Sequence, residues 1–110
     1  MLNLTTASTP DGAVLRVDGD LDFHTVPRFR ETLAAVALTA GQRFVLDLAN
    51  LAFCDSSGIT AFLVARNHAA AAGAELALVG VPEHTWRVLR LVGLDEILGL
   101  EPGRATTDSA

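Results

Sequence analysis

An α/β domain with a mixed, mostly parallel sheet of four to five strands packed with three to four helices is the fold class the sequence predicts. Three observations predict it. Short apolar runs at 13–19, 44–48 and 75–80 alternate with stretches of helical periodicity. A Pro10-Asp11-Gly12 turn joins the first of those runs to an earlier one, as in an antiparallel hairpin. The later runs are separated from one another by helices, which requires crossover connections between parallel neighbours.

Each element follows from its residues. Residues 2–6 form an edge strand, and Ala13-Val14-Leu15-Arg16-Val17-Asp18-Gly19 forms its partner. From Thr25 the period changes: Val26, Phe29, Leu33 and Val36 recur at helical spacing, with Thr25 as a possible cap, Pro27 in the first turn and Gly41 beyond the end. Phe44-Val45-Leu46-Asp47-Leu48 is short and apolar, as a central strand should be. A loop, Asn50 to Asp55, precedes a second helix over 56–72 with Ile59, Phe62, Leu63 and Ala70 on one face. Glu75 to Gly80 reads as a strand, and Pro82 opens a third helix whose shared face carries Val88, Leu89 and Val92 before Gly93. Asp95 to Leu100 is expected to add a short edge element, and residues 101–110, polar and aperiodic, a flexible tail. Residues 1–100 are therefore expected to form one domain.

Bulk properties narrow the function. The chain has 110 residues, 50% of them hydrophobic and 19% charged, enough for a packed core without staples. Its net charge is −5 and its eight basic side chains are all arginine, with no basic stripe to follow a phosphate backbone, so direct nucleic-acid binding is not expected. A single cysteine, Cys54, precludes an internal disulfide and points to a reducing compartment. His24, His68 and His84 share no ligand spacing, so neither a metal nor a cofactor is expected. No apolar segment approaches the ~20 residues of a membrane span, and a cytoplasmic location without membrane insertion is the expectation.

Asp55-Ser56-Ser57-Gly58 stands where the central apolar region meets the second helix. On residue chemistry alone, such a run is a helix cap and first turn. A helix start also leaves backbone N–H groups free and favours an incoming anion, so Ser56 could carry a phosphate there. Gly58 either gives a partner's backbone room to approach or relieves crowding at the helix start. Asp20 and Asp22, taken alone, are a solvated loop end. Cys54 reads as a small buried filler ahead of redox sensing. Trp86 reads equally as partly buried or as part of an interface, and Arg66 as a snorkelling side chain.

Asp55-Ser56-Ser57-Gly58 after an apolar strand and before a helix resembles the signature of STAS domains, the family that includes bacterial anti-sigma factor antagonists. Three further stretches extend the resemblance over nearly the whole chain: Gly19-Asp20-Leu21-Asp22 before the first helix, Glu75-Leu76-Ala77-Leu78-Val79 after Ala72-Gly73, and Val88-Leu89 through Val92-Gly93-Leu94-Asp95. The resemblance implies the STAS fold, with Ser56, the first hydroxyl residue after the Asp, as phosphoacceptor. It further implies a partner-binding surface drawn from Asp20, Asp22, Asp55, Ser56, Ser57 and Gly58. Thr60 departs from the glycine or longer polar residue often found there, and Asn67, His68 and Ala69 make the helix surface less basic than in many members, so partner identity is where this chain should differ.

The function so implied is that of a non-enzymatic anti-sigma factor antagonist. The unphosphorylated form binds an anti-sigma factor that is also a serine kinase and thereby releases the sigma factor. Phosphorylation at Ser56 switches that binding off, and a serine phosphatase resets it. A phosphoserine adds about −1.5 to −2 charges and three acceptor oxygens beside Asp55. Two alternatives remain. One is a structural STAS subunit of a signalling assembly or of a lipid-transport ABC complex. The other is an enzyme with Ser56 as nucleophile, which the sequence disfavours for want of a G-x-S-x-G elbow or a histidine beside the serine.

Overall fold

The computed structural model describes residues 1–99. Eight elements follow one another: β1 (Leu2–Thr9), β2 (Gly12–Leu21), α1 (Val26–Ala34), β3 (Arg43–Asp47), β4 (Leu51–Cys54), α2 (Ser56–Ala71), β5 (Glu75–Val79) and α3 (Glu83–Leu91). Five strands make one mixed sheet and three helices pack with it. β1 and β2 form the expected antiparallel hairpin, in register from Leu2 opposite Gly19 to Thr9 opposite Gly12. β2, β3 and β5 run parallel, with Leu15, Leu46 and Leu78 in successive register. Period-2 alternation explains why Ala13, Leu15, Val17 and Leu21 of β2, with Phe44 and Leu46 of β3, are buried together. Phe29 and Leu33 of α1 and Phe62 of α2 complete the same core. Each fully buried Phe or Leu contributes about 1.5–3 kcal/mol.

The region expected as a loop from Asn50 to Asp55 contains the fifth strand. β2 is long enough to pair twice along one edge. Residues Gly12 to Arg16 pair with β3, and Gly19 to Leu21 pair with β4 across a register shift between Gly19 and Asp20. Between the two, Leu48 N donates to Val79 O at 2.9 Å and Gly19 N donates to Asn50 O at 3.0 Å, so the chain swerves at 48–50 and then resumes alongside β2. Gly19 makes the shift possible, because its φ of 105° belongs to a region that residues with a Cβ avoid. β4 thus carries the chain to the end of β2, where Asp55 N donates to Leu21 O at 3.3 Å.

Two helix faces and one helix end also differ from expectation. α2 buries a stripe of small residues, Gly58, Ala61, Ala65 and Ala69, around Phe62, while Ile59 and Leu63 are only partly buried and Ala70 is exposed. Small residues let this helix approach closely. In α3 the buried face is Thr85 and Leu89, and Val88 and Val92 are 44% and 59% exposed. In α1 the helix stops at Ala34, so Val36 is buried from the following loop. Asp95 to Gly99 forms turns and no strand; Leu98 anchors them in the core, and Gly99 O accepts from Leu78 N at 3.1 Å on β5. The tail expected at 101–110 lies outside the described residues. Among those residues no helix is long and apolar enough to cross a membrane.

Candidate phosphoacceptor site and its loop

Asp55 organises the site. As N-cap of α2 it has extended backbone, and its Oδ1 accepts from Ser57 N at 2.8 Å and Gly58 N at 3.1 Å. Its Oδ2 accepts from Phe23 N at 3.2 Å, across 32 positions of sequence. One carboxylate therefore starts the helix and fastens the β2–α1 loop to it.

That loop is stiffened from within. Asp22 Oδ1 accepts from His24 N at 3.0 Å and from Thr25 N at 3.1 Å, while Asp22 N donates to Thr25 Oγ1 at 2.9 Å. The Thr25 hydroxyl donates to Asp20 O at 2.8 Å. Thr25 thus ties the loop together without capping α1 through its own side chain, the role expected of it. Partial burial pushes the Asp22 carboxyl up, but the Thr25 and His24 N–H groups, the Thr25 hydroxyl and the His24 charge outweigh it and hold the carboxyl below its ordinary value. Asp22 is accordingly a builder of the loop, and Asp20 sits beside the chain start, its Oδ2 3.3 Å from the Met1 ammonium.

Ser56 is exposed, and its hydroxyl has no hydrogen-bond partner among the described residues. Its carbonyl accepts from Thr60 Oγ1 at 3.0 Å, which turns Thr60 back along the helix. Ser57 is half-buried and lines an open groove of about 960 Å³ between α1 and α2, with Phe23, His24, Arg30 and Thr60 also on its walls. Gly58 is buried beneath the motif, where a Cβ would lie 2.5 Å from Cys54 Sγ and 2.6 Å from Leu21 O. Of the two roles open to Gly58, the relief of crowding has a direct structural cause. The amides of Ser57 and Gly58, expected to be free for an anion, are already taken by Asp55, so a phosphate on Ser56 is not absorbed by them.

Two residues near this motif escaped the sequence reading. Phe23, 73% exposed, follows Asp22 in the stiff loop, and Phe53, 51% exposed, lies opposite Asp20 on β4. Their only sequence signal was position, an aromatic next to each half of the resembling motifs. His68, by contrast, is structural: its Nε2 lies 2.8 Å from Val36 O. Arg66 is exposed and donates through Nε to Ile97 O at 3.2 Å. Trp86 is half-buried.

Burial, aided by the Asp55 charge, pushes the Cys54 thiol up from 9.0 to about 12. In the unfolded chain it ionises near 9.0, so between pH 9 and 12 the native state holds a proton that the unfolded state has lost. Stability attributable to this group is therefore intact below pH 9 and falls as pH rises through that window. The chain has no Tyr, and its basic side chains are arginine, so few other groups titrate there. Urea midpoints at pH 8 and pH 10.5 should differ in the wild type, and the difference should shrink in Cys54→Ala; an undiminished difference would mean the thiol is not the group responsible.

The fold and the sequence of motifs define a class. A family model described as Mlab, STAS domain, matches residues 4–100, and the chain belongs to the STAS domain family. Among its relatives is the anti-sigma-B factor antagonist of Staphylococcus epidermidis, 28% identical over 102 residues that cover 93% of this chain and 94% of the relative. Solved structures with the same fold include an anti-sigma factor antagonist from Mycobacterium paratuberculosis, with a TM-score of 0.76 and 22% identity over 93% of this chain and 86% of that one. The anti-sigma factor antagonist SpoIIAA also shares it, at 24% identity in two forms. The unphosphorylated form has a TM-score of 0.69 over 92% of this chain and 86% of that one. The phosphorylated form has 0.67 over 92% and 89%.

Proposed function

We propose that this STAS domain is an anti-sigma factor antagonist whose unphosphorylated form binds an anti-sigma factor with serine kinase activity, and that phosphate on Ser56 ends the complex. The observation that carries the reading is the state of Ser56: exposed, its hydroxyl without a hydrogen-bond partner among the described residues, and set on the first turn of α2 behind a carboxylate that already occupies the neighbouring amides. A hydroxyl so placed is accessible to a kinase. A phosphate there remains on display, adding charge to a surface that already carries Asp55. Asp55, Ser56 and Ser57 make the face presented to the partner, Gly58 and Asp22 shape it from beneath and beside, and Asp20 borders it. The protein acts by binding and has no catalytic step of its own; a serine phosphatase restores the hydroxyl, and the cycle runs in the cytoplasm.

A second reading takes the domain as a structural STAS subunit of a signalling assembly or a lipid-transport ABC complex, because the Asp55 cap on Ser57 N and Gly58 N also accounts for the motif as a plain helix start. Mass spectrometry of the protein purified from its own cells separates the two. Phosphate on Ser56, absent from Ser56→Ala, is the expected result; persistent absence of phosphate across growth and stress conditions would transfer support to the structural subunit.

A further inference from the structure

We infer that Phe23 is the aromatic anchor by which the anti-sigma factor kinase grips the unphosphorylated protein, seated in an apolar pocket of the kinase next to its phosphoryl-transfer site. The inference rests on the antagonist reading and adds to it the residue that sets affinity. An exposed phenylalanine alone is unremarkable on a protein surface. Phe23 differs in where it stands and how it is held.

Its position follows from the reach of any kinase that phosphorylates Ser56. A stable interface covers about 800 Å² on each partner, a disc of roughly 16 Å radius. The backbone N–H of Phe23 lies 3.2 Å from Oδ2 of Asp55, the residue preceding Ser56. A protein centred on Ser56 therefore covers Phe23, and at 73% exposure this ring offers more surface for burial than Phe53 at 51%.

Its preorganisation follows from the loop. The Asp55 bond fixes the Phe23 backbone from one side, and the bonds from His24 N and Thr25 N to Asp22 fix the turn that follows. The Phe23 ring meets His24 edge-on, with centroids 5.8 Å apart and planes at 75°. An aromatic side chain on a fixed backbone loses less freedom on entering a pocket than one on a loose loop, because the loop itself need not be ordered. Ser57 and Thr60 share a groove with Phe23, so the anchor and the phosphoacceptor helix present one continuous surface.

Titration calorimetry with the kinase that labels Ser56 tests this, using wild type, Phe23→Ala and Phe23→Trp, each checked for an unchanged melting temperature. Phe23→Ala should weaken binding by about ten- to hundredfold, the loss expected for burying one phenyl ring, while Phe23→Trp should keep affinity within a few-fold of wild type. A Kd for Phe23→Ala within twofold of wild type would overturn the anchor and leave the antagonist reading standing. Failure of the wild type to bind or be labelled by any such kinase would overturn both.

Discussion

Replacing Ser56 with aspartate should weaken binding of the anti-sigma factor by nearly two decades, and replacing it with alanine should preserve binding while abolishing phosphorylation. Asp55 is committed by both oxygens to the helix start and to Phe23 N, so it cannot swing away from a new neighbouring charge without giving up these bonds. Two carboxylates ~5 Å apart repel by about 0.8 kcal/mol in water and about 3.3 kcal/mol at an effective dielectric of ~20. Covering the pair with a partner costs the difference, about 2.5 kcal/mol, and every 1.4 kcal/mol is tenfold in affinity. The two variants should move sigma-dependent transcription in opposite directions in cells, high in Ser56→Ala and low in Ser56→Asp. A transcriptional reporter that responds alike to both would show that charge at this position is not what the partner senses.

A side chain at position 58 should destabilise the fold. Alanine is the better helix former than glycine by about 0.8–1 kcal/mol, so an open helix position would gain from the exchange. Position 58 is not open: the added Cβ lies 2.6 Å from Leu21 O, the same oxygen that accepts from Asp55 N. That oxygen cannot yield without loosening the junction of β2 with the start of α2. Overpacking of this kind costs about 1–3 kcal/mol, more than the helix gain, so Gly58→Ala should be net destabilised and Gly58→Val should be destabilised further. Urea unfolding decides the sign. Thr60→Ala, an exposed change one turn from the cap, should shift stability by no more than about 0.5 kcal/mol. Gly58→Ala as stable as wild type would mean that the backbone at Leu21 yields freely.

Much of this architecture was legible because it is local. Helical spacing located α1, α2 and α3, turn chemistry located the hairpin, and the start of α2 at 56 followed from a run offering Ser or Asp as a cap, of which the structure uses Asp55. What the sequence concealed is non-local. β4 is four residues long and alternates only weakly, and it exists because β2 runs on past β3 and offers it an edge after the bulge at Gly19. The true face of α3 was hidden because Val88 and Val92 are more apolar than Thr85, yet the helix is turned so that Thr85 and Leu89 meet the core. The site was legible as a set of residues and not as a structure. Asp55, Ser56, Ser57 and Gly58 announce themselves together, whereas the bond from Phe23 N to Asp55 joins segments 32 positions apart. Phe23 and Phe53 were passed over for a related reason: an apolar residue is assigned to the core unless something shows it to be outside.

The switch is most directly tested by titrating the anti-sigma factor kinase, with a non-hydrolysable nucleotide, into two preparations of the same protein, one unphosphorylated and one stoichiometrically phosphorylated on Ser56. The phosphorylated form should bind at least a hundredfold more weakly, because its charge of about −1.5 to −2 exceeds that of the aspartate variant. Equal affinities within twofold would contradict the account, leaving Ser56 as a helix-start residue and the domain as a structural subunit.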